Sequence, residues 1–209
     1  MGIIKRIITI AILSLFTLNS YSQVSQEELQ AAFVSSYMHE KNSDYTAAMN
    51  DIKTVYHKSS YELNLRLGWL NYNAGLFDEA VIFYGNAREL KPYSEEARFG
   101  LILPLSALGK WDEVIKIYNA IMEVSPNNSV ALYRLGLIYY GRKDYNQAYA
   151  LFNKVVDLYP FGYDGLLMLG WTSYFLGNNN QAKVLFNKVL LYNPGDASAS
   201  EGLGLINKK

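Results

Sequence analysis

A chain of 209 residues with 50% apolar and 18% charged residues can bury a sizeable core, which excludes an intrinsically disordered segment. Lys plus Arg and Asp plus Glu both number 19, so no basic excess or stripe points to a nucleic-acid partner. There is no cysteine, which excludes disulfides, a lipid-acylated cysteine and thiol-based metal or catalytic sites.

The first element in chain order is a targeting segment. Lys5 and Arg6 precede Ile7 to Leu18, a run that is apolar apart from Thr9, Ser14 and Thr17. Ser20-Tyr21-Ser22 follows as a small-x-small cleavage site, so residues 1–22 read as a signal peptide cut after Ser22. A membrane anchor would need about 20 apolar residues, and no second hydrophobic segment is long enough to span. Removing residues 1–22 takes away two bases and no acid, leaving the mature chain slightly acidic. The ending Ser-Tyr-Ser-Gln resembles signal peptides of Bacteroidetes-type bacteria, which implies a periplasmic or secreted protein.

From Glu27 onward the chain is periodic. Pro92, Pro126, Pro160 and Pro194 recur every 34 residues without an insertion, and Leu-Gly-Trp at 67–69 returns at 169–171. A degenerate repeat at 27–60 precedes four complete ones at 61–94, 95–128, 129–162 and 163–196. Each complete unit has apolar residues at helical spacing on both sides of a turn such as Gly141-Arg142-Lys143-Asp144. A proline, unable to supply the next backbone N–H, closes the second helix. Repeat 95–128 departs from the pattern, with Ile102 where the others have glycine and Pro104 inside the first helix, where a kink is expected. Residues 197–209 restart the pattern and stop, which reads as a capping helix over the flank of the last full repeat.

The skeleton Leu135, Gly136, Tyr139, Ala148, Phe152 and Pro160 resembles the tetratricopeptide repeat family closely, over nearly the whole mature chain. The resemblance implies an all-α, right-handed superhelical solenoid of antiparallel helix pairs, about five repeats plus a C-terminal cap. One domain, 23–209, is expected.

Catalytic chemistry has little support. His39 and His57 are the only histidines, and no phosphate-cradling glycine loop or Gly-x-Ser-x-Gly elbow occurs. The carboxylate pairs Asp78-Glu79, Glu95-Glu96 and Asp112-Glu113 fall at helix starts, where acids suit the positive end of the dipole. A non-enzyme without cofactor or metal is expected.

The first helix of each repeat carries a second apolar face. With Leu67 at 0° and about 100° per residue, Leu65, Trp69 and Tyr72 fall at about 160°, 200° and 140°, where a surface helix would carry polar residues. Asn71 falls beside Leu67. The same arc holds Phe99, Leu103 and Ser106, then Tyr133, Leu137 and Tyr140, then Leu167, Trp171 and Tyr174. In the family such helices line the concave groove, so the resemblance implies an aromatic stripe there with Arg66 and Arg134 beside it. Trp, Tyr and Arg are the residues that dominate binding hot spots. The competing reading is ordinary packing between repeats, as expected for Tyr84, Tyr118, Tyr139 and Tyr145. The family's lysine–asparagine clamp for chaperone carboxyl termini is missing, since the matching places hold Leu65, Trp69, Phe99 and Leu103.

Three functions follow as expectations. The first is a scaffold holding an apolar or aromatic protein segment in the groove, within an envelope or secretion assembly. The second is glycan binding, peptidoglycan included, with Arg66, Asn71 and Asn73 as polar partners. The third is self-association as a homo-oligomer.

Overall fold

The computed structural model describes residues 24–208; residues 1–22, expected to be a signal peptide, lie outside them. Among the described residues the chain forms eleven helices and no strand. They are α1 (Gln26–Lys41), α2 (Tyr45–Thr54), α3 (Tyr61–Asn73), α4 (Phe77–Leu90), α5 (Glu95–Ala107), α6 (Trp111–Val124), α7 (Ser129–Gly141), α8 (Tyr145–Leu158), α9 (Tyr163–Phe175), α10 (Asn179–Tyr192) and α11 (Ala197–Asn207). Local chemistry sets their ends. Ser25, Asp44, Ser60, Ser94, Asn128, Asp144 and Asp196 accept the first free backbone N–H groups through their side chains, and Ser25 forms a full capping box with Glu28. The residue after each first-helix C-cap has positive φ: Ser43, Gly75, Gly109, Lys143 and Gly177. That left-handed step reverses the chain into the second helix, and three of the five positions use glycine, which lacks the Cβ that disfavours it.

The helices gather into two compact units, one ending at Leu90 and the other beginning at Lys91. In the first, Ala32, Ala48, Met49, Ile52 and Val55 of the α1–α2 region pack with Leu63, Leu67 and Leu70 of α3. The pair α3–α4 closes tightly because residue 68 is glycine: a Cβ there would stand 2.8 Å from the Tyr84 ring.

The second unit repeats that device twice. A Cβ on Gly136 would meet the Phe152 ring at 2.6 Å, and one on Gly170 would meet Phe186 at 2.9 Å. Phe152 and Phe186 are fully buried as a result. In the α5–α6 pair, Ile102 occupies the glycine position and is itself buried, and the pair approaches less closely than its glycine-bearing counterparts. Helix α5 runs unbroken from Glu95 through Pro104 to Ala107.

Helix α11 packs on α9 and α10. Gly202 lies against the far side of Phe186, whereas Gly204, at the repeat position of Gly170, has nothing near it. Asp196 caps α11 by accepting from Ala199 N–H at 2.7 Å and from the Tyr163 hydroxyl. The Tyr163 hydrogen bond, then that of Ala199, holds the Asp196 carboxyl below its usual range.

Candidate functional site

Each unit carries its own part of the predicted arc. On α3, Trp69 is 40% exposed while Leu65 and Tyr72 are half-buried. The Trp69 and Tyr72 rings lie 6.3 Å apart, and Tyr72 meets Phe77 at 5.8 Å. The Trp69 indole N–H donates to a Glu40 carboxylate oxygen.

Arg66 departs from its expected place beside the stripe. It is only 6% exposed. Its Nε and Nη2 donate to Ser36 Oγ at 3.1 and 2.9 Å, its Nη1 donates to Glu40, and its guanidinium lies 4.0 Å over the Tyr37 ring. With three of its five N–H donors engaged and so little surface exposed, this guanidinium is closed off from a ligand. Asn71 is buried as well and donates to Leu67 O at 2.7 Å, and Asn73 donates to Trp69 O. Of the polar partners expected for a glycan on α3, Arg66 and Asn71 are therefore buried within the unit, and only Asn73 is half-exposed.

In the second unit Tyr140, Tyr145, Trp171, Tyr174 and Phe175 form a connected aromatic surface. Phe99 is half-buried with its ring 6.4 Å from that of Tyr118, and Leu103 is exposed beyond it. Tyr133 packs on Phe152 at 5.8 Å, and Arg134 next to it is exposed. Tyr140 meets Tyr145 at 5.6 Å and Phe175 at 5.9 Å. On α9, Leu167, Trp171 and Tyr174 are half-buried. The Trp171 ring meets Phe186 edge-on at 5.2 Å and Tyr174 at 5.9 Å, and its N–H donates to Ser198 Oγ of α11 at 2.8 Å.

Burial pushes the Tyr133 and Tyr140 hydroxyls above their ordinary range. Asp164 adds to this at Tyr133, while Arg134 opposes it. Both tyrosines therefore stay neutral hydrogen-bonding groups at any physiological pH.

Phe175 belongs to this surface and was not singled out by sequence. It is 47% exposed, stacks on Tyr145 at 4.8 Å with a 9° interplanar angle, and touches Trp171 and Tyr174. A signal existed, since with Leu169 at 0° it falls at about 240°, beside Trp171 at about 200°. The matching places hold Asn73, Ala107 and Gly141, so comparing repeats hid it. Tyr145, expected in the core, is half-buried and shares this surface, whereas Tyr84 and Tyr118 are buried as expected.

Among the described residues no group of three or more His, Cys, Asp or Glu could hold a metal ion, and no helix is long and apolar enough to cross a membrane.

Stacked antiparallel helix pairs with glycine–aromatic contacts at a fixed repeat define a helical-repeat scaffold. Residues 130–161 and 163–196 each match the tetratricopeptide repeat. The chain carries tetratricopeptide repeats, which in general support protein-interaction scaffolds, and its fold is the helical solenoid of tetratricopeptide repeat proteins.

Solved structures agree. A tetratricopeptide repeat protein from Parabacteroides merdae superposes with a TM-score of 0.73 at 21% identity, over 87% of this chain and 73% of that one. A crystal structure of MamA gives 0.69 at 20% identity, over 79% and 92%. MamA from Desulfovibrio magneticus, residue 41 to the end, gives 0.68 at 20%, over 83% and 99%. No curated protein sequence matches the chain.

Proposed function

We propose that the protein is an exported scaffold that holds an apolar or aromatic segment of another protein on the arc of its first helices, as part of a cell-envelope or secretion assembly. The observation that carries this reading is the aromatic surface of the second unit. Tyr133, Tyr140, Tyr145, Trp171, Tyr174 and Phe175 form an aromatic face whose one nearby carboxylate is Asp164, close to Tyr133. An aromatic surface of this kind, left partly open to water, is what a protein-binding hot spot uses. The first unit carries the same chemistry on its own arc, Leu65, Trp69 and Tyr72, and the second unit adds Phe99, Leu103 and Leu167. The export part rests on residues 1–22, and the non-enzymatic part on a sequence with no cysteine, no phosphate-cradling glycine loop and no Gly-x-Ser-x-Gly elbow.

The test uses the mature chain, residues 23–209, against solubilised envelope proteins, with Trp69→Ala and Phe175→Ala as variants. Both side chains are exposed enough for the fold to survive their loss. Recovery of a protein by the wild type that both variants lose supports the reading. Equal recovery by all three chains counts against it. Sedimentation with peptidoglycan instead moves the function to glycan binding, and a concentration-dependent rise in mass by light scattering moves it to self-association. Intact mass of the envelope-derived protein should place its first residue at Gln23; a chain that keeps Met1 refutes export by cleavage.

A further inference from the structure

Arg66 and Arg134 occupy the same place in their repeats, eight residues before the first-helix C-caps Ala74 and Arg142. Their surroundings differ in one respect that points to a ligand. Arg66 reaches the preceding first helix, α1, at Ser36, Tyr37 and Glu40, which stand six, five and two residues before its C-cap Asn42. Counted the same way from C-cap Leu108, the corresponding residues of α5 are Ile102, Leu103 and Ser106. The hydroxyl, the ring and the carboxylate that surround Arg66 are replaced by two aliphatic side chains and a serine.

Arg134 is exposed, and its charge is felt by the Tyr118 and Tyr133 hydroxyls. Asp164 acts on Tyr133 as well, from the start of α9, without forming an ion pair with Arg134.

Resting on the segment-binding reading above, we infer that Arg134 is the charged anchor of that site, and that the bound protein segment carries an acidic side chain flanked by apolar residues. The carboxylate takes the place at Arg134 that Glu40 takes at Arg66. Glu40 shows within this chain that a guanidinium at this repeat position donates to a carboxylate. Tyr118 and Tyr133, which feel the Arg134 charge, and Leu137, one turn further along α7, set the apolar character of the flanking residues. A polyanion fits poorly, since nucleic-acid binding grows with the number of cations that meet phosphates, and this face offers one cation with Asp164 nearby.

A displayed library of random twelve-residue peptides, selected on the mature chain, tests the inference. Selected peptides should share an Asp or Glu beside aliphatic or aromatic residues. Changing that acid to its amide should weaken binding to the wild type about tenfold, the size expected for a charge-assisted hydrogen bond. The same change should have no effect on binding to Arg134→Gln. Ser106→Glu supplies a carboxylate in the register of Glu40, so it should occupy Arg134 internally and weaken the peptides to a similar degree.

Peptides without an acid, an acid whose loss matters equally in wild type and Arg134→Gln, or no selected peptide at all would each overturn the inference. If peptides are selected, lose affinity with Phe175→Ala and ignore Arg134→Gln, the aromatic site stands and the anchor falls. Peptides indifferent to both Phe175→Ala and Arg134→Gln defeat the site and the anchor together.

Discussion

Trp69 and Trp171 share a repeat position and the phrase Leu-Gly-Trp, yet the two units use them differently. In the first unit the indole stays 40% exposed, and its N–H meets Glu40, a residue already engaged by buried Arg66. In the second the indole packs edge-on against fully buried Phe186 and bonds Ser198 on the last helix. One indole rests on a polar network, while the other closes an apolar joint. The difference comes from the neighbour. Trp69 follows a first helix that offers a carboxylate, and Trp171 precedes a short helix that offers Gly202, Ser198 and little side-chain volume.

The largest effect should come from breaking the polar network. Glu40→Ala leaves the Arg66 guanidinium buried without its counter-charge, and such a loss costs about 3 kcal/mol or more. Denaturant unfolding followed by hydrogen exchange in α1 and α3 measures it. Arg134→Ala, at the same repeat position but exposed, should stay within about 0.5 kcal/mol of wild type. Equal losses in the two variants would mean that burial does not distinguish these arginines.

Next come the tryptophans themselves. Trp171→Ala removes a ring packed on the Phe186 core, at a cost of about 2–3 kcal/mol, below the full value for a wholly buried aromatic. Trp69→Ala removes mainly one hydrogen bond and some ring contact, about 1 kcal/mol. Reversal of that order, read from thermal midpoints of the two variants, would break the comparison.

The glycines of α11 should differ in the sign of their effects. Gly202→Ala forces a methyl group into the Phe186 ring and should cost about 1–3 kcal/mol. Gly204→Ala meets nothing and should stabilise by up to about 1 kcal/mol, because alanine restricts the unfolded chain and favours helix. The same melts read both, and the opposite signs distinguish a packed face of α11 from an open one.

Much of the fold was legible beforehand. The drift-free spacing of Pro92, Pro126, Pro160 and Pro194 marks where each second helix must stop, and helix-period apolar residues on both sides of each turn set the pairing. Glycine at 68, 136 and 170 opposite Tyr84, Phe152 and Phe186 follows from the same period. The stripe of Trp69, Tyr72, Tyr133, Tyr140, Trp171 and Tyr174 also came from helical geometry, because an arc on one helix depends only on residues within about four turns.

The states of those residues were out of reach of the period. Arg66 looked like a groove residue because its partners Ser36 and Glu40 lie 30 and 26 residues away, in a first repeat whose turn stands 32 rather than 34 residues before the next. Phe175 was missed because no other repeat has an aromatic there. Periodicity is written in short-range contacts, which the chain imposes on itself before any two repeats meet. Whether an arginine is neutralised or open, and whether a tryptophan is a lid or a joint, depends on which side chains stacking brings opposite it. At Arg66 that side chain is the Glu40 carboxylate, whereas Arg134 stays exposed, and only the assembled helices decide which.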